Sequence, residues 1–252
     1  MNAPANLPVH RLSLDHLSDA ELHAHFAQIS AADELAAKAG HHAHSGGSLI
    51  EIEDVHGQDA ALMAITSPVR LHVKGPLGHY AFAYNLAADA RIDGDVCNGA
   101  GEGLRGGSVR VRGNAGLGFG VAMRGGTLAV YGTAGDRLAA AMTGGEIFAR
   151  GSVGADAGVG ARSGTIVIGG DTGPRLGEPA SDLIIFLRGK AMSLAPGMEE
   201  APLRKRDELR LGLLLINASI RGDAKEFRRI IPTAMLQAER ERKHGEVNPN
   251  WR

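Results

Sequence analysis

The stretch GGSVRVRGNAG (106–116) returns as GGTLAVYGTAG (125–135), GGEIFARGSVG (144–154) and SGTIVIGGDTG (163–173), each 19 residues after the last. The glycine closing each alternating run extends the register through Gly75, Gly94, Gly113, Gly132, Gly151, Gly170 and Gly189, which makes seven units. Self-similarity at one fixed period marks a repeat architecture and decides the fold before any local reading.

Within a unit the side chains alternate with period two. One column reads Leu71, Ala90, Val109, Leu128, Ile147, Ile166 and Ile185, and a second reads Val73, Ile92, Val111, Val130, Ala149, Ile168 and Leu187. Every member is apolar, as inward-facing strand positions require. The column before the glycine, Lys74, Asp93, Arg112, Tyr131, Arg150, Gly169 and Arg188, is mostly polar and points the other way. A second apolar wall is expected from Leu104, Met123, Met142, Ala161 and Ala180, with small residues at the corner from Val96 to Ala191. A helix is excluded, because each glycine in it would cost about 1 kcal/mol and the period is not 3.6. The glycines serve corners that need positive φ and no Cβ. The expected fold is mainly β, a right-handed single-stranded parallel β-helix of about seven 19-residue coils with short helical N- and C-terminal flanks. Coils about 4.8 Å apart give a rod of roughly 34 Å.

Composition narrows the function. The 27 Lys and Arg balance 28 Asp and Glu, so there is no bulk charge for nucleic acid or an anionic membrane. Cys97 is the only cysteine, which excludes an internal disulfide and any multi-thiolate metal site and suits a reducing compartment. MNAPANLPVH (1–10) is no signal peptide and no apolar run is long enough for a membrane span, so the expected location is cytoplasmic.

Three segments follow: a helical N-terminal cap and linker (1–47), the β-helix (48–195), and a helical C-terminal extension and tail (196–252). Residues 13–39 read as two short helices with Ser18 and Ser30 as N-caps and Gly40 as the stop, and 48–55 and 61–68 as entering strands. Residues 204–220 and 223–231 read as helices, and 233–252 as a polar arm that orders on a partner.

Candidate chemistry is sparse. Gly101, Gly103 and Gly106 spell G-x-G-x-x-G, but a strand sequence follows where a dinucleotide site needs a helix. His41, His42 and His44 sit in a glycine-serine linker without a carboxylate shell, and His72 and His79 lack a third ligand. Cys97 takes a coil-corner position filled by glycine in later coils and is expected to be a small packed residue. Asp93 is the only carboxylate in its outward column, too few for a carbohydrate-cleaving groove. Arg105, Arg124 and Arg162, with Arg112, Arg150 and Arg188, form basic edges that read either as solvated charge or as docking for an acidic partner.

GAGEG (99–103), GLGFG (116–120) and GVG (158–160) resemble the GXGXG domain at the C-terminus of the glutamate synthase large subunit, over about residues 50–195. VKGPLGHYAFAYN (73–85), LRGKAMSLAPG (187–197) and GDAKEFRRI (222–230) resemble most the stand-alone GXGXG subunit of N-methylglutamate synthase. The resemblance implies a non-catalytic scaffold that holds an amidotransferase-like (glutaminase-type) subunit and an FMN and iron-sulfur synthase subunit together. Such a complex converts glutamate and methylamine to N-methylglutamate and ammonia. No catalytic, cofactor-binding or metal residue is then expected in this chain, and the FMN and iron-sulfur cluster belong to a partner. The β-helical subunit of a formylmethanofuran dehydrogenase or formyltransferase/hydrolase complex is the alternative, and a free-standing β-helix enzyme using Asp93, Cys97 or His72 is a third reading. The sequence departs from the motif at 135–144, which lacks the glycine pair, and at 173–182, which Pro174 and Pro179 interrupt, so altered loops are expected there.

Overall fold

The alternating runs are stacked strands. A computed structural model describes residues 8–38, 47–218 and 222–241. Strands β1 (Val9–Ser13), β2 (Leu49–Glu53), β3 (Arg70–Val73), β4 (Asp89–Ile92), β5 (Ser108–Val111), β6 (Thr127–Val130), β7 (Glu146–Ala149), β8 (Ser163–Ile168) and β9 (Asp182–Leu187) pair in parallel in chain order. Register repeats every 19 residues, Ser108 on Thr127 and Thr127 on Glu146, which makes a parallel β-solenoid. Both inward columns are buried throughout, from Leu71 and Val73 to Ile185 and Leu187. Bridges from Leu77 through Val96, Ala115, Ala134, Val153 and Thr172 to Ala191 form a second ladder at the corner. Leu104, Met123, Met142 and Ala161 close the interior as read, but Ala180 is exposed.

The glycine-punctuated segments form the third side. Gly99, Gly101 and Gly103 are left-handed at alternate positions, with φ of 72°, 70° and 61°. The alternation turns successive amides in opposite directions: Gly99 and Gly103 donate forward to Leu117 O and Val121 O at 2.9 and 2.8 Å, and Gly101 donates back to Ala81 O at 2.8 Å. Each coil is thus bonded to both neighbours without a β conformation. The same backbone recurs at Tyr80, Phe82 and Tyr84, and at Arg137, Ala139 and Ala141. The coil at 135–144 therefore keeps the common path where an altered loop was expected. Residues 61–68, read as a strand, are another such segment, with Ala60, Leu62 and Ala64 left-handed.

Polar residues at the corners bond to the next coil. The amides of Asn114, Thr133, Ala155 and Lys190 donate to the side-chain oxygens of Asp95, Asn114, Asp136 and Asp171 at 2.6 to 2.9 Å. These side chains supply acceptors that the turning backbone lacks.

The first coil is capped by a single helix, α1 (Asp19–Lys38), where two short helices were expected. Ser18 starts it through a reciprocal box, its Oγ and N both donating to Glu21 Oε2 at 2.7 and 2.8 Å while Glu21 N donates back to Ser18 Oγ. Ser30 is buried inside the helix, because Leu22 and Phe26 seal the solenoid interior on that side. Gly40 lies outside the described residues.

The outward column in the middle of the strands changes character along the rod. His72, Arg91 and Arg110 give way to Ala129, Phe148, Val167 and Phe186, all four buried. Helix α2 (Lys205–Asn217) covers them with Leu211, Leu214 and Leu215, as its helical spacing demands. Two strands complete the sheet beyond β9: β10 (Met198–Ala201) and β11 (Arg228–Pro232), antiparallel in the order β9-β11-β10. Residues 223–231, read as a helix, are one 3₁₀ turn (Ala224–Glu226) followed by β11. Residues 233–241, read as part of a polar arm, form α3 (Thr233–Glu241). Buried Arg229 of β11 pairs with Glu239 of α3 at 2.7 Å and with Asp207 of α2 at 3.4 Å, while Arg204 also holds both carboxylates.

Candidate functional site

The solenoid interior is filled by aliphatic, methionine and phenylalanine side chains, so chemistry or recognition has to occur on an outer face. Three surfaces gather functional side chains.

The first is the uncovered sheet face over β2–β5. His72 Nε2 lies 2.6 Å from Asp93 Oδ2, Arg91 Nε donates to Asp93 Oδ1 at 3.0 Å, and Arg112 approaches the same oxygen at 3.4 Å. Burial pushes the Asp93 carboxyl up, but the hydrogen bonds with His72 and Arg91 prevail and bring it down to about 2. Lys74 bridges Glu51 and Glu53 at 2.8 and 3.2 Å, and Arg11 donates to Glu51 at 3.0 Å. Arg91 and Asp93 lie two residues apart in one coil, whereas His72 and Arg112 reach Asp93 from the neighbouring coils, so opposite charges also meet across the ladder.

The second is a cleft of about 540 Å³ between α2 and the stacked glycine corners at 125–126 and 144–145. Arg210 Nη2 donates to Thr165 Oγ1 at 3.0 Å, and burial raises the Glu146 carboxyl, with Arg210 acting against it.

The third is the wall of left-handed segments. Tyr80, Tyr84, Leu117 and Val159 are exposed on it, spread over three coils among glycines. Sequence reasoning missed this wall, because alternate left-handed backbone decides which residues face out.

The residues weighed from sequence disperse. Cys97 is exposed and not packed, since its side chain leaves the corner where later coils have glycine. His72 engages Asp93, while the amide of His79 donates to Asp59 and its ring tilts toward Tyr80, so the two histidines serve different contacts. Gly101, Gly103 and Gly106 lead into β5, a strand. His41, His42 and His44 lie outside the described residues. Arg105, Arg124, Arg162, Arg112 and Arg150 are exposed, but Arg188 donates to Gly169 O, approaches Glu226 and lies over the Phe227 ring, holding the C-terminal extension. Among the described residues no group of three or more His, Cys, Asp or Glu could hold a metal ion, and no helix is long and apolar enough to cross a membrane.

Comparison of the chain with family models, with curated proteins and with solved structures finds no match.

Proposed function

We propose that this chain is the non-catalytic β-helical subunit of a glutamate-synthase-like complex, N-methylglutamate synthase foremost. In this reading it holds an amidotransferase-like subunit and an FMN and iron-sulfur synthase subunit in register in the cytoplasm. The partners then carry out the conversion of glutamate and methylamine to N-methylglutamate and ammonia.

The observation that supports it is the left-handed wall. Its backbone is bonded coil to coil, so it is rigid, and it exposes the apolar side chains of Tyr80, Tyr84, Leu117 and Val159. Exposed aromatic and aliphatic side chains on a rigid wall are a docking feature, aromatic anchors being of the kind that dominate interface energetics.

Affinity purification of the tagged chain from its native cells, with mass spectrometry and an absorbance spectrum, tests the reading. Co-purification of an amidotransferase-like chain and a yellow-brown flavin and iron-sulfur chain is expected. An amidohydrolase-like partner would replace the reading with the formyl-transfer complex, and a chain that purifies alone would overturn it.

A further inference from the structure

In the cleft between α2 and the stacked corners, opposite charges stand near one another without pairing. Arg210 of α2 is anchored on β8 by its bond to the buried Thr165 at 3.0 Å. Glu146 is the register partner of Thr165 on β7, and Asp182 opens β9 on the other side, so Arg210 meets the middle strand of three with a carboxyl group on each of the outer two. Adjacent strands are about 4.8 Å apart. All three charged residues line the cleft, yet among the described residues neither carboxyl group has a hydrogen bond or an ion pair. Burial raises the half-buried Glu146 carboxyl against the pull of Arg210, as for an acid short of partners.

The cleft also offers backbone donors. Coil stacking excludes side chains from its glycine corners, since a Cβ on Gly126 would stand 2.7 Å from Gly107 O and one on Gly145 would stand 2.7 Å from Met123 Cε. The amides of Thr127 and Glu146 donate to Gly107 O and Gly126 O at 3.0 Å, whereas those of Gly126 and Gly145 have no acceptor among the described residues. An amide outside the ladder needs water or a ligand. Backbone amides beside a guanidinium are the donor set that recognises a carboxylate.

We propose that this cleft binds a free α-amino acid, its carboxylate on Arg210 and the glycine amides and its ammonium on Glu146 and Asp182. The mixed lining selects this class. A simple anion is repelled by the two acids, and a simple cation leaves Arg210 and both amides without an acceptor, so the occupant carries both charges a few ångströms apart. The volume of about 540 Å³ lies within the range of small-molecule sites, roughly 300–1,000 Å³. Ile184 brings the one apolar side chain among the described lining residues, so a small or polar amino acid fits better than a large apolar one. The proposal stands apart from the partner reading above, because none of Tyr80, Tyr84, Leu117 and Val159 lines the cleft.

Equilibrium dialysis of the purified full chain against an equimolar mixture of the twenty common L-amino acids, read by amino-acid analysis, tests the proposal. Retention of at least one of them on the protein side is expected, with ethylamine and acetate, which carry one charge each, not retained. Calorimetric titration of the retained amino acid should then show binding weakened about 100-fold by Arg210→Met and about tenfold by Glu146→Gln. Arg210 is exposed and Glu146 is a carboxyl group without partners, so both variants should keep the circular dichroism of the parent. Retention of none of the amino acids, retention of ethylamine or acetate to the same extent, or an affinity unmoved in both variants would each overturn the proposal. Only the isolated chain is used, so failure here leaves the hetero-complex reading to its own test.

Discussion

The ring of Tyr84 occupies the space that a side chain on Gly103 would need: a Cβ there would stand 2.6 Å from Tyr84 Cδ1 and Cε1. Gly103 is also left-handed, at φ 61°. Gly103→Ala therefore combines backbone strain with a clash and should cost about 2–4 kcal/mol. Gly57, at φ 86° with nothing within 4 Å, isolates the strain, and Gly57→Ala should cost about 1 kcal/mol. Denaturant midpoints of the two variants, with Gly103→Ala also made in a Tyr84→Ala background, check the division. Equal costs would show that the tyrosine contributes nothing.

Ala141 shows the opposite case. It is exposed and left-handed at φ 54°, the third of a run in which Arg137 and Ala139 are left-handed too. Stacking forces the conformation, because Ala141 N must reach Val159 O at 2.8 Å. Glycine relieves about 1–2 kcal/mol of left-handed strain and loses up to about 1 kcal/mol in unfolded-chain entropy. Ala141→Gly should thus stabilise the protein by about 0.5–1 kcal/mol by denaturant titration, against the usual sign for such a change.

Phe148 lies in the outward column where the polar residues stop, pressed between β7 and α2. Phe148→Ala should cost about 3–5 kcal/mol and free α2, so that trypsin cuts at Lys205 and Arg206 under native conditions. Arg91, in the same column but uncovered, should cost under about 1 kcal/mol when changed to alanine. Unchanged proteolysis of Phe148→Ala would show that α2 is held elsewhere.

The sequence carried part of this. Fixed spacing and alternation made the inward columns legible, because a 19-residue period admits few geometries. The covered half of the outer face was not read: alternation places TLAV, EIFA and TIVI only by their inward columns, and their apolar middle residues, the mark of strands buried on both sides, went unused. ALMAIT (61–66) was not legible, since an apolar run without glycine reads as a strand, and only the neighbouring coil imposes left-handed backbone on Ala60, Leu62 and Ala64. RRIIP (228–232) was lost to helical spacing for a similar reason, because its partner β9 is distant in sequence. The exposed wall follows from the same hidden conformation, so its tyrosines carried no signal as surface residues.

Asp93 gives the face over β3–β5 a pH dependence. Its folded pKa of about 2 lies below the unfolded value of about 3.9. A depressed carboxylate stabilises above the unfolded value and loses that contribution as pH falls toward the folded one. With solvent screening the term is roughly 1–2 kcal/mol. Asp93→Asn should therefore unfold more easily than the parent at pH 7, and the difference should shrink steadily as pH falls from about 5 toward 2. A difference that is the same at pH 7 and pH 2 would assign the effect to shape and not to charge.

Arg229 is 1% exposed and, among the described residues, its charge is met by carboxylates from the two flanking helices, Asp207 of α2 and Glu239 of α3. Burial raises both carboxyls, but the arginines Arg204 and Arg229 prevail and both stay low. Arg229→Met leaves two acids to Arg204, with Arg206 near Glu239 at 3.9 Å, and should cost about 3–5 kcal/mol. Replacing the pair together, Arg229→Met with Glu239→Leu, leaves Arg204 matched to Asp207 and fills the space with apolar groups, so most of the loss should return. Amide exchange in α3 is the readout: fast in the single variant and slow in the double if the ion pair sets register, fast in both if the charge itself holds the helix down.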